Sequence, residues 1–361
     1  MKLVCSREEL SRGLQTVLRS VGARAGIPAL SGVLIELSDT ELTLTTTDLE
    51  LTTRVQLGLT GEAGRILLPA RLLADIVRSL PSDQVELVTE NGSVRVAGGR
   101  SKFNIRSLSP EDFPRVESAA ETKTISLDGA LLATALGQVA PAASRDETRP
   151  VLTGVLLEGE EGHLRVVATD SYRLAVRSID VGGVEGTKVL IPARAVVEVA
   201  RLAATESEVR LEIGSAQAGF HLGDVIIQSR LIEGEFPAYR QLLPTDLPGR
   251  LAVTKGPFLE ALKRVAVLAQ DATPVFLEVG GEGIRLTCTA QGLGDGTEDV
   301  EGAYTGEDMR VAFNAAYLEA GMVATSTEEV VVDFTDSQRP ALIHAPDDRD
   351  FQYLLMPIRV S

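Results

Sequence analysis

The chain has 361 residues, which at roughly 100 to 200 residues per domain is enough for two to four domains. Hydrophobic residues make up 44% and charged residues 24%, a globular balance that excludes a disordered chain, and aromatics are only 4% with no Trp, so the cores must be aliphatic. Asp and Glu outnumber Lys and Arg by 51 to 35, and a net charge of −16 argues against a protein that coats nucleic acid or membrane with its whole surface, while leaving room for a local basic face.

The N-terminus reaches charge at Arg7-Glu8-Glu9 before any apolar run long enough for a signal peptide, and no stretch approaches the roughly 18 apolar residues of a membrane span. The first element is an alternating strand, Leu3-Val4-Cys5-Ser6. A helix follows, with Ser6 suited to its N-cap and Leu10, Leu14 and Val17 at helical spacing. Strands are predicted over Val33–Glu36 and Glu41–Leu57, rich in Thr, Leu and Val. A second helix begins after Pro69 and runs to Leu80, its buried stripe read as Leu72, Leu73, Ile76, Val77 and Leu80. Strands Val85–Val88 and Ser93–Val96 flank Glu90-Asn91-Gly92, a hairpin signal.

The same order then recurs. Ile125-Ser126-Leu127-Asp128 with Leu132, Leu136 and Val139 repeats the opening at an offset of 122, and Leu251-Ala252-Val253-Thr254 with Phe258, Leu262 and Val265 repeats it 126 further on. Thr47-Asp48 returns as Thr169-Asp170, Leu68-Pro69-Ala70-Arg71 as Ile191-Pro192-Ala193-Arg194, and Phe113-Pro114 as Phe236-Pro237. Phe313-Asn314-Ala315-Ala316 stands at the matching place in the third copy. Several landmarks at nearly one offset indicate three tandem copies of one domain, over residues 1–120, 121–247 and 248–361. Two helices to many antiparallel strands in each copy is an α+β layer, helices on one face of a sheet.

Positive charge follows the helices. Arg71 and Arg78 lie seven apart on the second helix of copy one, Arg194 and Arg201 seven apart beside Val196, Val197 and Val199 in copy two, and Arg12 and Arg19 seven apart on the first helix. Copy three offers Lys255, Lys263 and Arg264 near its first helix. If the helices share one side of the assembly, these cations form a face suited to phosphate contact that carries no sequence information.

A catalytic set cannot be assembled. His163, His221 and His344 are scattered and no two stand at metal-ligand spacing. Gly292-Leu293-Gly294-Asp295-Gly296 and the Gly182–Lys188 run lack nucleotide-loop spacing and read as turns, and Asp347-Asp348-Arg349-Asp350 reads as a solvated hairpin loop. Cys5 and Cys288 are too few for a disulfide framework and suit a reducing compartment. The expectation is a cytoplasmic, non-enzymatic protein with no catalytic residues, metal or cofactor.

Four stretches carry a resemblance over the whole chain: Ile27-Pro28-Ala29-Leu30-Ser31-Gly32, Thr169-Asp170-Ser171-Tyr172-Arg173-Leu174-Ala175-Val176, Glu235-Phe236-Pro237-Ala238-Tyr239-Arg240 and the tail Leu355-Met356-Pro357-Ile358-Arg359-Val360. With the triple repeat, they resemble the bacterial DNA polymerase III β subunit family, the replicative sliding clamps. The resemblance implies a head-to-tail homodimer closing into a six-domain ring, helices inside and sheets outside, through which duplex DNA is threaded without sequence readout. It implies a processivity factor of the DNA polymerase III holoenzyme in DNA replication. Arg24, Arg71, Arg78 and Arg149 are the implied phosphate contacts, joined by Arg194 and Arg201 from the repeat.

The resemblance also implies a pocket for short partner peptides ending in apolar and aromatic residues, formed by Leu152, Thr169, Ser171, Tyr172, Arg173, Leu174, Pro237, Leu242, Tyr317, Leu354, Met356, Pro357 and Ile358. In it, Arg173 is positioned to bond a peptide carbonyl or side-chain amide. The implied users are the replicative polymerase, the clamp loader, other polymerases, ligase and mismatch-repair proteins, with no membrane partner. The dimer edge of copy one is expected at its second helix and the strands around Arg95–Phe103. The chain departs from the family at Ser171-Tyr172, often Gly-His, at Gln241-Leu242, often Arg-Val, and at Ala272–Phe276, which lacks the usual Lys-Phe-Arg-Gly. The competing reading, a three-repeat protein-binding scaffold without a DNA role, explains the acidic balance but not the repeated Arg pairs.

Overall fold

Six α-helices and many short antiparallel strands make up the described part of a computed structural model, which comprises residues 1–22, 27–90, 92–116, 123–269, 273–281 and 283–359. The helices are α1 (Arg7–Val17), α2 (Ala70–Ser79), α3 (Gly129–Val139), α4 (Ala193–Ala203), α5 (Lys255–Ala266) and α6 (Ala315–Ala324). The architecture is α+β, and the strand–helix opening recurs at Lys2–Ser6 with α1, Lys123–Asp128 with α3 and Gly249–Thr254 with α5. The boundary expected near residue 121 lies outside the described residues. No described helix is long and apolar enough to cross a membrane.

Packing divides the chain into two compact units, Met1–Leu132 with Arg201–Leu231, and Ala133–Ala200 with Ile232–Ser361. In the first, a five-stranded sheet runs in the order Gly61–Glu62, Lys2–Ser6, Gln84–Glu90, Ser93–Gly98, Ser101–Arg106. An eight-stranded sheet joins the middle copy to the first, because Val225–Arg230 pairs antiparallel with Leu51–Leu57, with Ile227 opposite Thr53. Helix α1 is capped by Ser6, whose Oγ accepts from the Glu9 amide at 3.4 Å, and buries Leu10, Leu14 and Val17. Helix α2 buries Ala70, Leu73, Ala74 and Val77. These side chains share one core with Leu3 and Cys5 of the first sheet and Val33 and Ile35 of the second. Each fully buried Leu or Val contributes about 1.5–3 kcal/mol through removal of apolar surface from water.

In the second unit a nine-stranded sheet joins the middle copy to the third, Arg173–Asp180 pairing with Asp348–Leu355 so that Leu174 stands opposite Leu354. A four-stranded sheet orders Gly294–Val300, Gly283–Ala290, Val275–Gly280 and Met309–Phe313. Helix α6 is capped by Asn314, whose Oδ1 accepts from the Tyr317 amide at 3.1 Å. His344 is fully buried, its ring nitrogens 2.6 Å from the Ala345 carbonyl and 2.9 Å from Asp333 Oδ2, which also accepts from Arg349 at 3.0 Å. Burial alone would raise the Asp333 carboxyl. The hydrogen bond and charge of His344 and the charges of Arg349 and Arg250 outweigh it and hold Asp333 below the usual carboxylate range. Both cysteines are buried, and burial with the nearby Glu9 charge pushes the Cys5 thiol up to about 12.

Several local expectations change. The stripe of α2 excludes Leu72, which is 49% exposed, because the buried residues at 70, 73, 74 and 77 keep strict helical spacing and position 72 falls outside it. On α4 the buried positions are 195, 196, 199 and 203, and Val197 is 51% exposed. The strand region Glu41–Leu57 resolves into two strands, Leu42–Thr47 and Leu51–Leu57, separated by a turn in which Asp48 Oδ1 accepts from the Glu50 and Leu51 amides. The Asp347–Asp350 run is only partly loop. Asp348 opens a strand and pairs with Arg177 at 2.7 Å.

Candidate functional site

A tight turn in the second unit carries Thr169, Ser171, Tyr172 and Arg173, four of the residues expected to meet partner peptides. Thr169 Oγ1 donates to the Arg173 carbonyl at 2.7 Å and accepts from the Ser171 amide at 3.2 Å. Asp170 Oδ1 accepts from the amides of Tyr172 at 2.9 Å and Arg173 at 3.0 Å. These bonds hold Ser171 at φ 80°, a left-handed conformation uncommon outside glycine, and leave Tyr172 61% exposed. The Met356 amide donates to the Tyr172 carbonyl at 2.9 Å, so the tail after Leu355 runs beside the turn, and the Ile358 amide is held by the Ala312 carbonyl at 2.7 Å.

Arg173 lies at the base of this surface with its side chain 13% exposed. Its Nε donates to Asp170 Oδ2 at 3.0 Å, its Nη1 to the Tyr353 hydroxyl at 3.4 Å, and its guanidinium stacks over the Tyr317 ring at 4.3 Å. Burial opposes the charge, but Tyr353 and Asp170 outweigh it and raise the Arg173 pKa. Burial in turn pushes the Tyr353 hydroxyl up to about 12, against the lowering influence of Arg173. The Tyr317 ring, 6.5 Å from that of Tyr172, completes an aromatic wall. Arg173 thereby ties the turn to Tyr353 and to the Tyr317 ring.

Leu174 and Leu354 are buried in a cluster with Leu156, Phe236 and Tyr239, beneath the exposed positions. Leu152 is 6% exposed, and its neighbour Val151 packs on the same cluster. Pro237 is exposed and its carbonyl accepts from the Tyr239 amide at 2.7 Å, starting the short 3₁₀ turn Tyr239–Leu242 on which Leu242 is 50% exposed. Pro357 and Ile358 are half-buried, and Met356 is 41% exposed. Tyr172, Leu242 and Met356 are exposed on elements that share this buried cluster, an adaptable apolar set with a few polar fixings.

The brace beneath Leu242 carried no assigned role in the sequence. The Tyr239 hydroxyl donates to Glu158 Oε2 at 2.8 Å, and Arg240 Nη2 donates to Glu158 at 2.8 Å and Glu160 at 2.6 Å. Glu235–Arg240 was legible as a motif, but its carboxylate partners lie some 80 residues earlier and come together only through the strand Gly154–Glu160.

Arg71 and Arg78 are exposed on α2, Arg78 bonded to Asp75 at 2.6 Å, and Arg194 and Arg201 are exposed on α4. Arg149 holds its Nε on Asp146 at 3.0 Å and its Nη1 on Ser171 Oγ at 3.1 Å, at the Thr169–Arg173 turn. Arg24 lies outside the described residues. The third copy's cations are engaged: Lys255 with the Thr325 carbonyl at 2.9 Å, Lys263 with Glu319 at 3.4 Å and Arg264 with both Glu298 oxygens at 2.9 Å. Among the described residues no group of three or more His, Cys, Asp or Glu is arranged to hold a metal ion.

Family models of the DNA polymerase III beta subunit match in order, the N-terminal domain over residues 1–117, the central domain over 126–238 and the C-terminal domain over 240–359. The beta sliding clamp of Streptomyces coelicolor is 33% identical over 380 aligned residues, covering 100% of both chains. Among solved structures, the DNA polymerase sliding clamp of Bacillus subtilis matches with a TM-score of 0.94 at 28% identity. The DNA polymerase III subunit beta of Pseudomonas aeruginosa bound to griselimycin matches with a TM-score of 0.94 at 31% identity. Both structural matches cover 100% of each chain.

Glu158→Gln tests the brace. Burial raises the Glu158 carboxyl, but hydrogen bonds from Tyr239 and Arg240 and the charges of Arg240 and Lys188 more than offset this, so its folded pKa is depressed. Its stabilisation is complete above the unfolded value of about 4.3 and is lost as pH falls through the folded one. Urea titrations should show Glu158→Gln less stable by about 1–3 kcal/mol at neutral pH, with the gap narrowing below about pH 4. A constant gap down to pH 3 would contradict the ionised brace.

Proposed function

The chain belongs to the DNA polymerase III beta subunit family and is a DNA sliding clamp, and from that premise we propose how its residues divide the work. The carrying observation is the ordered match of all three clamp domains along the full chain. We take the domains as residues 1–120, 121–247 and 248–361. Two copies close head to tail into a ring around duplex DNA, and Arg71, Arg78, Arg194 and Arg201, with Arg24 from outside the described residues, contact phosphates without reading bases. A net charge of −16 against these helix-borne cations supports this division, since an acidic exterior repels DNA and only threaded DNA meets the Arg side chains. The protein is a processivity factor that performs no catalysis and works in the cytoplasm.

The partners are DNA and DNA polymerase. The surface of Tyr172, Leu242 and Met356, with Thr169, Arg173 and Tyr317 setting its geometry, takes clamp-binding peptides of the polymerase, and of the clamp loader, other polymerases, ligase and mismatch-repair proteins. Arg149, bonded to Ser171, belongs with this surface more than with the DNA path. The dimer joins two outermost strands of opposite charge. Ser101–Arg106 presents Lys102 and Arg106 beside Arg100, and Gly294–Val300 presents Asp295, Glu298 and Asp299. An open strand edge of each kind supports ladder formation between copies.

Retention on DNA tests the ring. Protein loaded by a clamp loader with ATP onto nicked circles should survive gel filtration in moderate salt and be lost once the circle is cut. Equal retention on circular and linear DNA would reduce it to ordinary phosphate binding, and no retention on either would favour a scaffold.

Tyr172→Ala should weaken binding of an apolar-aromatic clamp peptide by about 30-fold, the scale of an aromatic hot spot, without changing ring assembly. An unaltered affinity in fluorescence anisotropy would move the peptide site elsewhere.

Lys102→Glu with Arg106→Glu should raise the dimer dissociation constant by about tenfold or more through like-charge repulsion across the joined edges. Sedimentation velocity showing an unchanged monomer–dimer balance would rule out this edge.

A further inference from the structure

The turn that presents Tyr172 has a structural twin in the first unit. Thr47 Oγ1 donates to the Leu51 carbonyl at 3.2 Å and accepts from the Leu49 amide at 3.1 Å. Asp48 Oδ1 accepts from the amides of Glu50 at 3.0 Å and Leu51 at 2.8 Å, and Leu49 is held at φ 81°. The Arg230 amide donates to the Glu50 carbonyl at 2.9 Å, just as the Met356 amide donates to the Tyr172 carbonyl at 2.9 Å. Both turns stand where strands of two successive copies pair, Leu51–Leu57 with Val225–Arg230 and Arg173–Asp180 with Asp348–Leu355. Phe113-Pro114 supplies the twin of Phe236-Pro237.

The backbone is repeated, but the side chains are exchanged. Glu50 takes the place of Tyr172, Arg230 that of Met356 and Leu51 that of Arg173, so the aromatic and thioether contacts are gone. In their place is a cleft of about 290 Å³ lined by Leu49, Pro114, Arg115, Gln217, Gln228 and Arg230 among others. That volume is at the small end of the range for ligand pockets. Arg115 is exposed, and the Arg230 side chain is 64% exposed with its Nη1 4.0 Å from Glu50 Oε1, too long for a committed hydrogen bond.

We propose that this cleft is a second binding site of the clamp, for an extended peptide segment bearing carboxylate side chains. The idea rests on the reading of the Tyr172 turn as a peptide site. Arg115 and Arg230 offer planar guanidinium forks that match carboxylates, the Gln228 amide can bond an extended backbone, and Leu49 with Pro114 gives an aliphatic wall. Glu50 at the cleft disfavours a polyanion without such spacing, which sets a peptide ahead of nucleic acid. The same exchange explains selectivity: an apolar-aromatic peptide meets Glu50 and Arg230 here and would desolvate them without compensation.

The test uses the full-length protein at about 50 mM salt, where screening is modest. A short fluorescein-labelled peptide of alternating Glu and Leu is titrated by anisotropy beside its Gln-for-Glu counterpart. The acidic peptide should bind at least about tenfold more tightly than the neutral one, lose about tenfold in Arg115→Gln with Arg230→Gln, and bind Tyr172→Ala as it binds wild type. Both arginines are exposed, and an unchanged thermal midpoint of the double variant verifies folding. No binding of the acidic peptide, equal binding of both peptides, indifference to the arginine substitutions, or loss in Tyr172→Ala would each overturn the proposal. So would displacement of the peptide by a duplex oligonucleotide, which would reassign the arginines to DNA. A failure of the Tyr172 reading shows separately, as an apolar-aromatic peptide that does not bind wild type while the acidic peptide does.

Discussion

The antiparallel pairing of strands from successive copies is the constraint on which the rest depends. A domain of short strands leaves open edges with unpaired amides and carbonyls, which cost free energy or invite aggregation. Here Val225–Arg230 covers the edge of Leu51–Leu57, and Asp348–Leu355 covers that of Arg173–Asp180. The middle copy is thereby divided, one of its sheet halves continuing the first copy and the other continuing the third. Each pairing also brings the chain leaving one strand against a turn of the neighbouring copy. The exposed turn at Tyr172 and the cleft at Glu50 are by-products of covering an edge.

Within that frame, repetition fixes the backbone and leaves the side chains to vary. The Thr-Asp pair at 47–48 and at 169–170 makes the same set of local bonds and holds a non-glycine residue at positive φ in both places. The residues directly after the pair are chemically opposite, Leu49-Glu50-Leu51 in one copy and Ser171-Tyr172-Arg173 in the other. The helices obey the same rule. Exposed Arg pairs recur on α2 and α4, while the third copy carries its cations on its first helix instead, where they meet Glu298, Glu319 and a carbonyl.

Much of this was legible in the sequence because it is local or periodic. Strand alternation, the Ser6 cap, Pro69 before α2 and the hairpin at Gly92 depend on neighbouring residues, and the triple repeat is written as landmarks at one offset. The misreading at Leu72 came from counting apolar residues without requiring them to share one helical face. The split at 48–50 was signalled by Thr47-Asp48, which prefers its own amides to a continuous strand. Non-local features were hidden. The engagement of Arg173 by Tyr353 and Tyr317, the bond from Arg149 to Ser171 and the Glu158 brace to Tyr239 and Arg240 each join residues that meet only after the strands pair.

The two thiols have a practical consequence. Cys5 and Cys288 are both buried, and burial raises both pKa values, that of Cys5 to about 12. Near neutral pH almost no thiolate is present at Cys5, and alkylating reagents have little access to either sulfur. A cysteine introduced on the surface would react first and nearly alone. Fluorophores or spin labels could therefore be attached to the native chain at chosen points without deleting its own cysteines, keeping the packing around Leu3 and Leu286 intact.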